Sequence, residues 1–322
     1  MPLLGLLLLV TACQSVQSTS TSSPTFSSTP RPSATPSPSP SAAPSHVFVI
    51  VLENTSYARA LAQPYISSLA SQYAVAADYH DVGHPSLPNY LAMTSGSTWG
   101  IHDDGYHRLP AADLGTQLTN AGITWKAYFE GFTGDCFRSA YPYALKHNPF
   151  AYYGGRCPAN VVPMSDLAAD LNGDAPQLSW ITPGLCNDGH DCGVRTADRW
   201  LSGVVPQITS STAWQENGVL LITWDESSAA DSRVALLVVT PKLRGEITTT
   251  MDHYSLLATV SDQLGVPRLG QSAQAASLHD QLQAAASASA SGVTQRVAAT
   301  RVMDMCSQPA PLQRKAATEL RA

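Results

Sequence analysis

Between residues 46 and 270, apolar runs alternate with stretches whose apolar residues recur at helical spacing. His46–Leu52 (HVFVIVL) is almost continuously apolar and β-branched, the pattern of a strand covered on both faces. Ile123–Phe129, Leu178–Thr182, Val219–Trp224 and Val234–Val239 read as further strands. Between them lie helix-like segments near 57–73, 86–95, 111–121, 196–208 and 253–264. Pro64 sits inside the first, so that helix starts late or bends there. Buried strands alternating with helices predict a layered α/β domain with a mostly parallel sheet. Ligands of such sheets bind beyond the carboxyl ends of the strands, which is where chemistry is expected.

The flanks carry different patterns. Leu3 to Val10 is an apolar run broken only by Gly5, far shorter than the ~20 residues that span a bilayer, and it fits the core of a secretory signal. Val10-Thr11-Ala12-Cys13 matches a bacterial lipobox, which makes Cys13 the expected lipidation site. A basic segment before the apolar run is missing, and an ordinary cleaved signal is the alternative. Residues 14–45 hold 12 Ser, 5 Thr and 7 Pro, the makeup of a solvated stalk that buries no core. Residues 271–322 are Ala/Ser-rich and free of aromatic residues, and read as an exposed helix or disorder without chemistry. The expected organisation is therefore a signal with lipobox at 1–13, a linker at 14–45, a folded domain at 46–270 and a tail at 271–322.

Charge narrows the partners. The chain has 18 Lys and Arg against 24 Asp and Glu, and Arg31 is the one cation before residue 46. Such an acidic body lacks the basic footprint of nucleic-acid binding. Cysteine usage suits an exported protein. Cys186 and Cys192 close a small loop, while Cys136 and Cys157 bracket a Tyr/Gly/Pro-rich excursion, so 136–157 and 186–192 are the preferred disulfides among three possible pairings. A zinc site is the alternative, without CxxC spacing to support it. Cys306 is left over in the tail.

Two strands end in paired oxygen-bearing side chains, Glu53-Asn54 after HVFVIVL and Asp225-Glu226 after VLLITW. Three carboxylates meeting there would repel one another unless a cation sat among them, and hard oxygen donors suit a divalent metal. The alternative is two unrelated loop entries. In His84-Pro85-Ser86-Leu87-Pro88-Asn89-Tyr90 the prolines mark a stiff turn into a helix. Ser86 then falls at the first helical turn, where backbone N–H groups favour an anion, and Asn89 lies on the same face one turn on. A serine so placed attacks phosphorus once a metal lowers its pKa; otherwise it is simply a capping residue. No GxSxG motif exists to support an α/β-hydrolase esterase.

Together these residues resemble a family. Glu53-Asn54-Thr55-Ser56-Tyr57 is similar to the ENxS(F/Y) signature of the bacterial phosphoesterase family. That family holds acid phosphatases and phosphatidylcholine-type phospholipases C within the alkaline-phosphatase-like superfamily. HPSLPNY at 84–90, KHNPF at 146–150, CNDGHDC at 186–192, Asp225-Glu226 and His253-Tyr254-Ser255 follow in the family's order, over about 46–270. The set most resembles the secreted acid phosphatase branch, some of whose members dephosphorylate phosphatidylinositol 3-phosphate.

The resemblance implies a three-layer α/β/α fold of alkaline-phosphatase type. It makes Glu53, Asn54, Asp225 and Glu226 metal ligands, with Ser86 as nucleophile completing the shell. Asn89 is implied to donate to a phosphate oxygen. His84, His147, His190 and His253 fall in histidine motifs: His190 and His253 are taken as candidate proton donors, His84 and His147 as phosphate contacts. The loop after Asp225-Glu226 departs from the family pattern by lacking Gly and His, which leaves Arg233 to serve the phosphate. The expected function is a metal-dependent phosphomonoesterase of acid-phosphatase type, requiring divalent metal of open identity and number. It would be exported, either lipid-anchored at the outer face of the cell membrane or secreted. Its expected partners are a phosphorylated small molecule or phosphoinositide, and a membrane through Cys13 only, with no nucleic acid. A phospholipase C-like phosphodiesterase is the first alternative, and a non-catalytic surface-binding lipoprotein the second.

Overall fold

A computed structural model describes residues 46–241 and 243–285. The expected signal, Cys13, the linker, Cys306 and the tail beyond 285 lie outside the described residues. The strands are β1 (His46–Leu52), β2 (Ala74–Ala76), β3 (Tyr79–His80), β4 (Trp125–Phe129), β5 (Val161–Pro163), β6 (Leu178–Thr182), β7 (Gly218–Trp224), β8 (Leu236–Val239), β9 (Gly245–Ile247) and β10 (Met251–Asp252). Eight form one sheet in the order β5-β4-β6-β1-β7-β8-β2-β9, and β10 pairs with β3 alone. From β5 to β7 every pairing is parallel. β8 runs antiparallel to β7 and to β2. Its connection from β7 is short and holds no helix, and a parallel return needs a longer crossover.

The helices are α1 (Tyr57–Leu61), α2 (Pro64–Gln72), α3 (Ser86–Ser95), α4 (Leu114–Ala121), α5 (Leu167–Leu171), α6 (Val194–Ser210), α7 (Thr212–Asn217) and α8 (His253–Leu264). α3 packs with α4 and α8, and α6 packs with α2, α5 and α7. The resulting α/β architecture is a mostly parallel central sheet with helices, as the alternation requires. β1 lies centrally between β6 and β7, and all its residues from Val47 to Leu52 are buried, which explains its unbroken apolar run.

The expected helix at 57–73 divides because Pro64 opens a second helix at its first position, where a missing N–H costs nothing. α8 starts at a capping box in which Asp252 and Ser255 bond reciprocally. α3 stops at Gly96, whose φ of 69° suits glycine and where a Cβ would lie 2.0 Å from the Leu269 carbonyl oxygen. The domain boundary expected at 270 falls short: residues 279–285 are helical, and Leu278 and Leu282 reach the main core. No described helix is long and apolar enough to cross a membrane.

Candidate active site

Three neighbouring parallel strands, β6, β1 and β7, bring acidic residues to one edge of the sheet. Glu53 follows β1 directly, Asp225 follows β7 directly, and Asp188 lies in the loop after β6. Backbone bonds stitch the three ends together. The Glu53 N–H donates to the Asp188 carbonyl at 3.0 Å, and the Thr55 N–H to the Glu226 carbonyl at 3.1 Å. The Asn54 N–H donates to Asp225 Oδ1 at 3.0 Å. Asn54 itself takes φ 48°, a left-handed conformation that asparagine tolerates better than most residues.

Ser86 is the first residue of α3, and its hydroxyl donates to Glu53 Oε2 at 3.1 Å. Tyr90, one turn on, donates to Glu53 Oε1 at 2.7 Å, and the Asn54 side-chain amide donates to Oε2 at 3.1 Å. Lys146 Nζ stands 3.5 Å from Ser86 Oγ, 3.3 Å from His190 Nε2 and 3.0 Å from Asp104 Oδ2. His190 is held on its other side by Asp191 at 2.7 Å, and its N–H donates to Asp188 Oδ1. His147 is buried between Glu53 at 3.2 Å and Asp188 at 3.3 Å, stacked on Tyr90. His84 Nδ1 sits 2.8 Å from Glu226 Oε2 at the mouth. Glu53, His147 and His190 each offer a ligand atom within 4.8 Å of the others.

The electrostatics of this cluster are unfavourable to the bare carboxylates. Burial, followed by Asp225 and Asp188, raises the Glu53 carboxyl well above its ordinary range. Burial and then Glu226 push Asp225 up to about 7; burial likewise pushes Asp188 to about 7, and burial with Asp104 and Asp81 takes Glu226 to about 7. Asp225 Oδ2 is buried without a hydrogen-bond partner among the described residues. Crowded, desolvated oxygen donors, with Asp188 Oδ2 and Glu226 Oε2 also buried without a hydrogen bond, fit a divalent cation, which would restore their ionised forms. Lys146 keeps its charge: burial opposes it, but Asp104, then Glu53 and Asp225, outweigh burial and raise its pKa.

A pH signature follows. In the unfolded chain these carboxyls ionise near pH ~4, whereas the metal-free folded state keeps them protonated to about 7. Below that window both states hold the protons. As pH rises through it only the unfolded state has lost them, so folding weakens; above it the deficit is constant. The buried His147 and His253, which burial keeps neutral, work in the opposite direction over the same window, so with chelator present the melting temperature should be higher at pH 4.5 than at pH 7.5 by a net of only roughly 5 °C. A divalent metal should raise it more at pH 7.5, and a chelated protein equally stable at both pH values would argue against this cluster.

Glu53, Asn54, Ser86, Asp225, Glu226, His84, His147 and His190 are thus brought together. Three other expectations need correction. His253 is fully buried and spends one ring nitrogen on the Asp225 carbonyl and the other on the Tyr79 hydroxyl. Burial drives its pKa down to about 4, so it is a neutral brace beneath Asp225 and not a proton donor. Asn89 aims its amide at the Gly83 and Pro85 carbonyls, and its Oδ1 accepts from the Val82 N–H, so it builds the turn before Ser86. Arg233 stacks over Tyr57 at 4.2 Å and donates to the Ala77 carbonyl, away from a phosphate-binding role. The anion expected at the start of α3 is partly supplied from within: Asp104 Oδ1 accepts the Leu87 N–H at 3.0 Å.

Sequence reasoning missed Lys146, Tyr90, Asp188 and Asp104. Lys146 opens the KHNPF motif and Tyr90 closes HPSLPNY, neither with an expected role, and Asp188 lies within the 186–192 loop. Asp104 had no signal, because its loop is aperiodic. Both expected disulfides are present, Cys136–Cys157 and Cys186–Cys192, and the second closes the loop bearing Asp188 and His190.

Comparison with known proteins agrees with this geometry. The profile of the Phosphoesterase family matches residues 59–267. A probable acid phosphatase of Kluyveromyces lactis is 31% identical over 248 residues, covering 70% of this chain and 59% of that protein. The chain therefore spans about six-tenths of that relative's length. A phosphatidylinositol-3-phosphatase of Mycobacterium tuberculosis is 30% identical over 250 residues, covering 73% of this chain and 82% of the other. Among solved structures, an alkaline phosphatase superfamily protein from Vibrio parahaemolyticus superposes with TM-score 0.53 at 10% identity, over 71% of this chain and 70% of that one. The fold is accordingly of the alkaline-phosphatase type.

Proposed function

Because the chain belongs to the Phosphoesterase family, we propose that it is a metal-dependent phosphomonoesterase of acid-phosphatase type whose nucleophile is Ser86. One observation carries this: the Ser86 hydroxyl lies between an acidic, metal-fitting cluster at Glu53 and a fixed cation at Lys146. Glu53, Asn54, Asp225 and Glu226, with Ser86 Oγ, would hold the metal, and His147 and His190 flank it. When bound, a divalent cation neutralises the carboxylates, lowers the pKa of a neighbouring hydroxyl and polarises a phosphoryl oxygen.

The chain's own residues do the rest. Lys146 Nζ offers its ammonium to a phosphoryl oxygen beside Ser86, where charge accumulates as the bond to the leaving group lengthens. Ser86 passes its proton to Glu53 Oε2, the acceptor of its hydrogen bond, as Oγ forms the new bond to phosphorus and the bond to the leaving oxygen breaks, giving a phosphoserine and an alkoxide. His190, steadied by Asp191 at Nδ1, is placed to give that alkoxide its proton from Nε2 once the Lys146 ammonium, which Nε2 faces at 3.3 Å, has turned to the phosphoryl oxygen. A water then attacks the phosphoserine and gives a proton to His190, while Glu53 returns a proton to Ser86 Oγ as the bond from Oγ to phosphorus breaks and phosphate is released. His253 and Asn89 act only by fixing the backbone at Asp225 and before Ser86.

The two disulfides support an exported protein, since such bonds persist in oxidising compartments. We assign 1–13 to a lipoprotein signal with Cys13 as anchor and 14–45 to a linker. The substrate class is a phosphorylated small molecule or phosphoinositide, supported by the name of the mycobacterial relative. The test is turnover of p-nitrophenyl phosphate and of bis(p-nitrophenyl) phosphate by the purified chain, with and without chelator. Monoester turnover abolished by chelator is expected. Preference for the diester would shift the assignment to a phospholipase C-like enzyme, and turnover of neither ester would leave a binding protein.

A further inference from the structure

We propose that the rim of this site docks on a lipid surface through Tyr106, Phe137 and Tyr141, so that the phosphate it takes is borne by a membrane lipid. The inference rests on the phosphoesterase reading above and goes beyond an anchor at Cys13. Four large apolar side chains are exposed among the described residues: Trp99, Tyr106, Phe137 and Tyr141. Three of them gather beside the site. Phe137 and Tyr141 belong to the segment leaving the carboxyl end of β4, which runs parallel to β6 and so emerges on the edge that carries Asp188.

That segment lies against the loop of Asp188 and His190. Glu130 at its start accepts from the Gly184 N–H and the Asn187 amide, both at 2.8 Å, and the Leu185 N–H donates to the Pro142 carbonyl at 2.9 Å. Gly184 is so close that a Cβ there would stand 2.7 Å from the Pro142 ring. Tyr106 follows two residues after Asp104, the partner of Lys146, and its ring meets Phe137 edge-on at 5.3 Å. Trp99 lies past the far end of α3, bonded to Ser95, and is left out.

A single exposed aromatic side chain is ordinary, but three on segments packed beside a polar site present one substrate with two requirements. The site suits a phosphate and the rim suits an apolar body attached to it. A soluble phosphomonoester leaves the rings uncovered, whereas a lipid phosphate offers acyl chains just beneath its headgroup. Tyr and Phe partition favourably into that headgroup–acyl boundary. Arg138 beside Phe137 is highly exposed, with Asp135 3.9 Å away, so the patch carries both signs and its apolar side chains supply the attraction.

The experiment uses the full chain carrying Cys13→Ser, so that no acyl anchor supplies binding, and compares it with the same chain also bearing Tyr106→Ser, Phe137→Ser and Tyr141→Ser. Substrates are p-nitrophenyl phosphate and phosphatidylinositol 3-phosphate in phosphatidylcholine vesicles. The rim variant should keep its turnover of the soluble ester within about twofold and lose about tenfold or more on vesicles, with a matching loss of vesicle co-sedimentation. A double variant sparing Tyr106 guards against loss of its packing on Tyr152, and should lose vesicle turnover in the same direction. Equal vesicle turnover by parent and rim variants, or a rim variant altered only in self-association or in binding a protein partner, would overturn the proposal. Failure of the parent on the soluble ester would instead count against the phosphoesterase reading.

Discussion

Ser86→Ala is expected to leave a folded, metal-binding protein whose kcat/KM for p-nitrophenyl phosphate is lower by a thousandfold or more, as an order of magnitude for loss of a nucleophile. The cost to the fold should be small. Ser86 is buried, but the one hydrogen bond its hydroxyl donates, to Glu53 Oε2, is shared with the Asn54 amide, so that oxygen keeps a donor. The change in stability should stay near ~1 kcal/mol. α3 keeps its helix, since alanine favours helix more than serine does. A variant retaining more than a tenth of the activity would remove Ser86 from the role of nucleophile, whatever else it contacts.

Asp225→Asn should separate catalysis from stability. The amide oxygen can still accept the Asn54 N–H, so the latch between β1 and β7 survives. The negative charge does not survive, and with it goes one of the anionic oxygens a hard cation requires. Activity should fall by two orders of magnitude or more, in line with removal of a group that acts on developing charge, and elemental analysis should find the metal depleted. The metal-free variant should at the same time melt higher than the metal-free parent at pH 7.5, because one member of a crowded, buried carboxyl group has been neutralised. A variant that is fully metal-loaded, or one whose chelated form is less stable than the chelated parent, would contradict the proposed cation site.

Much of the architecture was legible because central parallel strands are apolar on both faces. β1, β6 and β7 were read within a residue, and the ends of α3 and α8 coincide with their expected bounds. β2, β5, β9 and the β3–β10 pair were not read, since two or three residues carry no period and depend on their neighbours for pairing. Glu53 and Asp225 were legible because each directly follows a buried strand. Lys146 was not: it comes from a short helical turn far along the chain and meets Ser86 only through tertiary packing. The misread roles of His253 and Asn89 share a cause. Both residues stand in the first turns of helices near the site, and only the hydrogen-bond partners show that their polar atoms are spent on backbone groups and a tyrosine. The tail boundary was misplaced because Leu278 and Leu282 are two apolar positions in an Ala/Ser background, too few to announce a packed turn.

The central claim is that phosphate passes through Ser86 before reaching water, and the stereochemistry of transfer at phosphorus tests it most directly. A phosphomonoester made chiral with three oxygen isotopes is turned over in the presence of an acceptor alcohol, and the configuration of the transferred phosphoryl group is read by phosphorus NMR. Two in-line displacements, one onto Ser86 Oγ and one off it, predict net retention. Net inversion would mean that the acceptor attacks the substrate directly and would contradict a phosphoserine intermediate.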